Sequence, residues 1–174
     1  MNRTRNWLAA LVLGVSLAGG AAATPVKPAV ISLADLRAAL KQRQGRPLVV
    51  HVWASWCAPC VRELPVVARL VRDARARGIE IYSLSLDPPT ARAAARMARV
   101  LDQAAGGEVI NRTILRMDDQ DAVLARLDPG WEGQIPAFFA YDRTGKLHRA
   151  HVGEMTQKQF EALVAGLSVP PIKK

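Results

Sequence analysis

A lone Cys-x-x-Cys constrains this chain more than any other feature. Cys57 and Cys60 are its two cysteines, too few for a disulfide framework or a four-cysteine zinc site. Before them, Leu48-Val49-Val50-His51-Val52-Trp53 is a mostly apolar, β-branched run, the length of a strand buried on both faces. After Cys57 the apolar spacing turns helical: Leu64, Val67, Leu70, Val71 and Ala74 form a stripe, arginines fill the other faces, and Gly78 supplies the stop. A strand therefore runs into the pair and a helix leaves it. Cys57 falls at a helix N-terminus, where unpaired N–H groups and the macrodipole favour an anion. The expectation is a stabilised, nucleophilic thiolate at Cys57. Cys60, one turn on and facing inward, can resolve a mixed disulfide on it. Pro59 in the first turn costs no hydrogen bond. A structural disulfide or half a metal site is the plainer alternative, but neither needs a strand-to-helix junction.

The compartment decides what such a pair can be. Residues 1–6 carry Arg3 and Arg5 without an acid, residues 7–18 are apolar, and Gly19-Gly20-Ala21-Ala22-Ala23 follows. A positive start, an apolar core and a small-residue A-x-A site read as a signal peptide over residues 1–23, cleaved after Ala23. The rival reading keeps those residues as a membrane anchor, because 17 apolar or small residues reach the low end of a span. Either way the remainder, residues 24–174, is expected outside the cytoplasm, in the periplasm of a bacterial-type cell. In an oxidising space the redox poise of the pair becomes the question. The chain's net charge of +9 is scattered along helix faces rather than clustered among aromatics. A solvated surface explains it better than nucleic acid does.

Along the rest of the chain, strand and helix patterns alternate. Thr24 to Ala29 holds Pro25 and Pro28 and reads as an extended lead-in. Ser32-Leu33-Ala34-Asp35 reads as a capping box opening a helix through about Lys41. Ile79 to Leu86 reads as a second buried strand, stopped by Asp87-Pro88-Pro89. Thr90 caps a helix to Ala105, with Gly106-Gly107 as its stop, then Val109 to Met117 is a strand and Asp118 to Leu127 a short helix. Phe138 to Tyr141, the turn Asp142-Arg143-Thr144-Gly145, and Lys146 to Val152 form a hairpin. Thr156 and Gln159 box a last helix to about Leu167. This order argues for a three-layer α/β domain. No internal repeat or nucleotide fingerprint interrupts it.

Trp53-Ala54-Ser55-Trp56-Cys57-Ala58-Pro59-Cys60 resembles the active-site motif of the thioredoxin superfamily. With Glu63-Leu64-Pro65 it resembles the exported TlpA/ResA-like branch, which includes cytochrome c maturation reductases. Other landmarks fit in order: Pro65 inside the active-site helix, Ile135-Pro136 before a strand, the turn Tyr141 to Lys146, and Gly153 before the last helix. The resemblance covers about residues 30–167. It implies a thioredoxin-like three-layer fold with a central mixed sheet, in which residues 90–117 are the helix-plus-strand insertion of this branch. It implies a redox-active Cys57–Cys60 disulfide, a cis Pro136 facing it, and an incoming chain pairing with the backbone of Ile135. It also implies a monomer without cofactor or metal, protein substrates with disulfides or thiols, and a membrane-linked electron donor.

Two positions beside the motif carry further expectations. Glu63 matches an acid that tunes the cysteines in this branch; the plainer reading is an exposed helix glutamate. His51 departs from the branch, which has Asp or Asn there. It reads as a proton relay or, more simply, a satisfied core histidine. Trp56 is expected on the docking rim with Pro59, and Trp53 in the core. His148, His151 and Met155 suggest copper, but residues three apart on a strand face opposite sides, so ordinary surface residues are the simpler account. The whole points to an exported thiol–disulfide oxidoreductase that reduces partner proteins. A disulfide-donating oxidant, a copper- or thiol-binding module, and a domain with a vestigial pair remain open alternatives.

Overall fold

In a computed structural model of the full chain, the residues described are 29–42, 45–105, 110–111, 113–116 and 120–167. Residues 1–23, the prolines of the lead-in and Gly106-Gly107 lie outside them. In chain order the elements are β1 (Ala29–Ile31), α1 (Leu33–Gln42), β2 (Leu48–Trp53), α2 (Ala58–Ala76), β3 (Glu80–Ser85) and α3 (Ala91–Ala105). β4 (Thr113–Leu115), α4 (Gln120–Leu127), β5 (Ala137–Tyr141), β6 (Leu147–Val152) and α5 (Gln157–Val164) complete the order. Six strands form one mixed sheet in the order β1-β4-β3-β2-β5-β6. β1 to β2 are parallel through β4 and β3, and β5 and β6 run antiparallel.

Local signals explain most boundaries. Ser32 and Asp35 exchange the expected capping-box bonds: Asp35 Oδ2 accepts from Ser32 N–H at 2.9 Å, and Ser32 Oγ from Asp35 N–H at 3.2 Å. Thr156 and Gln159 do the same for α5, and Thr90 Oγ1 accepts from Ala93 N–H at the start of α3. Gly78 ends α2 with a φ of 72°, backbone that a residue with a Cβ rarely adopts. Two expectations need correction. Ala29 is not lead-in but the first residue of a parallel edge strand, made by pairing with β4. The strand expected over Val109 to Met117 is Thr113–Leu115 among the described residues.

β2 divides the interior. Its period-two alternation sends Val49 and Trp53 into a core shared with α2, α3 and α5, including Leu64, Met97 and Phe160. Leu48, Val50 and Val52 join a second core with Leu36, Val123, Leu127 and Trp131 from the α1 and α4 side. All six β2 residues are buried. The expected three layers follow, and β2 is the strand both outer layers rest on.

Two measurements check this packing. Phe160 is fully buried, and Phe160→Ala is expected to cost about 3–5 kcal/mol in urea unfolding. In the hairpin turn, Asp142 accepts from Thr144 Oγ1, Thr144 N–H and Lys146 N–H. Those bonds hold its carboxyl below the ordinary value, the Thr144 hydroxyl contributing most. A depressed carboxyl adds stability above its unfolded pKa and loses it as pH falls. Asp142→Asn should therefore lower the urea midpoint at pH 7, and the difference from wild type should shrink below about pH 4.

Candidate active site

The redox pair stands where β2 hands over to α2. Cys57 is the N-cap residue of α2, with extended backbone at φ −85° and ψ 104°. Its sulfur accepts from the Cys60 N–H at 3.3 Å. The sulfur thus holds the place that a serine or aspartate oxygen takes at other helix starts, facing the positive end of the helix. Cys57 and Cys60 form a disulfide with Cα atoms 5.2 Å apart. Cys57 is slightly exposed and Cys60 fully buried. The two sulfur-bearing residues are therefore unequal in access, with Cys60 facing inward.

Ile135-Pro136 is a cis peptide bond. The Ile135 carbonyl oxygen lies 3.7 Å from Cys57 Sγ, so this loop faces the disulfide. Pro136 is buried and Ile135 half-buried. Trp56, by contrast, is 55% exposed, and Pro59 is half-buried beside it. Cys57 thus lies between the exposed Trp56, its chain neighbour, and the Ile135 carbonyl of the loop across from it. Trp53 is core, as expected.

Glu63 is not an exposed helix glutamate. It is buried, and its carboxylate bridges two elements: Oε2 accepts from the Met155 N–H at 2.8 Å, and Oε1 lies 3.1 Å from His51 Nε2. His51 is wholly buried; its Nδ1 lies 3.2 Å from Ser83 Oγ, and its ring stacks on Phe138 at 4.5 Å between centroids. The histidine is thus satisfied at both nitrogens, and one of its partners is the acid three residues past Cys60. The structure joins two residues that the sequence offered separately. Gly153 N–H also donates to the Pro136 carbonyl at 2.8 Å, so the segment that holds Glu63 holds the proline loop as well.

Sequence reasoning missed Asp87. It is fully buried, and accepts from Ser55 N–H at 2.8 Å, Ser55 Oγ at 2.7 Å and Ser85 Oγ at 2.7 Å. Leu86 N–H also donates to the Trp53 carbonyl. Together these bonds fasten the turn before Cys57 to the end of β3. The available signal was Ser83, Ser85 and Asp87, polar residues at every second position through and just past the end of β3. The suggested copper residues are not assembled: His148 and His151 lie against the carbonyls of Ala165 and Glu154. No group of three or more possible metal ligands is found among the described residues.

A disulfide at the N-terminus of a helix, beside a cis-proline loop on a mixed sheet, defines a thioredoxin-like thiol–disulfide oxidoreductase. The chain belongs to the AhpC/TSA family, whose sequence pattern matches residues 27–150. It is 25% identical over 139 residues to the thiol-disulfide oxidoreductase ResA of Bacillus cereus, covering 76% of this chain and 69% of that protein. It is 29% identical over 124 residues to the thiol:disulfide interchange protein DsbE of Pseudomonas aeruginosa, covering 71% and 61%. The fold matches the crystal structure of a thioredoxin-family thiol:disulfide interchange protein from Chlorobium tepidum, with TM-score 0.55, 20% identity, and coverage of 73% and 83%.

The Asp87 clamp is testable by stability. Asp87→Ala strands the Ser55 N–H and two hydroxyls, and is expected to cost about 3 kcal/mol in urea unfolding. Exposed Asp73→Ala should stay within about 0.5 kcal/mol.

Proposed function

We propose that the protein is an exported reductase of disulfides in partner proteins. Its Cys57 thiolate attacks one sulfur of a partner disulfide and displaces the other as a thiolate, giving a mixed disulfide. Cys60 then gives up its proton and attacks Cys57 Sγ. The partner leaves with both cysteines reduced, and Cys57–Cys60 is oxidised. Two electrons pass to the partner, and a membrane-linked donor returns them.

The observation that carries the direction is the buried Glu63 on the helix turn after Cys60. A carboxylate there opposes negative charge on the sulfurs and so favours the disulfide over the thiolate form. Strong oxidants of this kind stabilise their reduced form instead. Glu63 also supplies a group to take the proton that Cys60 must lose, with His51 bonded behind it. Trp56, Pro59, Ile135 and Pro136 form the docking rim, where the Ile135 backbone pairs with an extended partner segment.

Relatives named for thiol–disulfide exchange support the reaction class. The leader-like residues 1–23 support a periplasmic location, with cleavage or retention as an anchor both compatible with it. Haem-attachment or copper-site cysteines are the substrates that the branch resemblance favours, and a monomer suffices for the cycle.

The test begins with Cys60→Ser, which should accumulate a partner mixed disulfide through Cys57, while Cys57→Ser accumulates none. Equilibration against dithiothreitol should place the pair near about −270 mV. A value near about −120 mV would overturn the reducing direction and make the protein an oxidant. Glu63→Gln is expected to raise the potential by about 30 mV and slow exchange at least about tenfold.

A further inference from the structure

A second concave site lies at the other end of the sheet. β2 starts there at Leu48 and reaches the redox pair only past Trp53, about 16 Å along the strand. The cavity is about 600 Å³ and is bounded by α1, α4, the start of β2 and the hairpin turn between β5 and β6. That volume is typical of small-molecule sites. Its accessible apolar lining comes from Pro129, Tyr141 and Leu147, backed by Leu36, Leu48, Val123 and Leu127 of the second core, which are buried beneath.

Around this floor stand five cations: Arg37, Lys41, Arg46, Arg126 and Arg143. One acid lines the cavity, Asp142, and its Oδ1 is taken by Thr144 and Lys146 within its own turn. Among the described residues no ion pair involves any of the five cations. The walls are fixed without a ligand. Tyr141 OH donates to the Leu127 carbonyl at 2.8 Å, and Gly45 N–H to the Arg143 carbonyl at 3.0 Å. Burial, with Asp128 nearby, pushes the Tyr141 hydroxyl above its usual range, so it remains a donor at physiological pH.

We propose that this cavity binds an anionic amphiphile, a single apolar chain with a carboxylate or phosphate head. The apolar floor takes the chain and the arginines take the head, a guanidinium being suited to hold a carboxylate or phosphate bidentately. A half-enclosed cavity of this volume suits one narrow chain better than the flat face of a second copy.

The test is calorimetric titration of the full chain, below micelle concentration, with octanoate, decanoate, decyl phosphate, decanol and decyltrimethylammonium. Decanoate and decyl phosphate should bind one to one, at least tenfold tighter than decanol, and the cationic amphiphile not at all. Each added methylene should tighten binding about fourfold, and salt should weaken it. Arg37→Glu/Arg126→Glu/Arg143→Glu should lose at least tenfold in decanoate affinity, with its melting temperature and disulfide exchange rate unchanged. Equal affinity for decanol and decanoate, an unchanged affinity in the triple variant, or no binding at 1 mM would each overturn the proposal. So would binding to phosphatidylglycerol vesicles with none to the monomeric amphiphiles, which would make the rim a membrane-facing patch. These outcomes are independent of the reaction at Cys57.

Discussion

The two-faced burial of β2 is the constraint on which the rest depends. Its residues alternate between the two cores, so a slip of one position would exchange every side chain between them. His51 and Trp53 would then face α1 and α4, and His51 would lose Glu63 across the layer. No such slip is tolerated, because both faces are packed and each has a different complement of volumes. The register therefore fixes more than the sheet. It sets where the strand ends, which residue caps α2, and which polar group lies beneath the cysteines.

Around that strand the site is built from two polar clamps with opposite duties. Asp87 closes on Ser55 and holds the turn that presents Cys57. Glu63 closes on Met155 and His51, on the buried side of the helix. Both are carboxylates in an interior of low dielectric, where an unmet polar group is costly, and both are met by directed donors. The exposed part of the site is apolar by comparison, with Trp56 outermost. Under the proposed cycle an incoming chain would meet this apolar surface, while both carboxyl groups stay inside.

What the sequence revealed depended on how local the cause was. The boxes at Ser32 and Thr156 and the hairpin turn at Asp142 rest on residues within four positions of each other, and the strand-to-helix junction at Cys57 on one unbroken stretch from Leu48 to Ala74. They were legible for that reason. β1 was not: three residues after a proline acquire strand character only by lying beside β4, which is more than eighty residues away. The partnership of His51 with Glu63 was hidden in the same way. Each residue was noticeable alone, but nothing short of the layer geometry brings a strand histidine against a helix acid. Asp87 was hidden by its neighbours, since Pro88 and Pro89 made it look like part of a strand stop rather than the anchor of another loop.

The short segment from Gly153 to Met155 has a mechanical meaning. At one end its N–H holds the Pro136 carbonyl, and two residues later its N–H holds Glu63. The strut therefore ties the proline loop to the buried acid, and a displacement of one is passed to the other through two backbone hydrogen bonds. Under the proposed cycle, a partner docking at Ile135 would pull on the very residue proposed to take the Cys60 proton, without any domain closing over it.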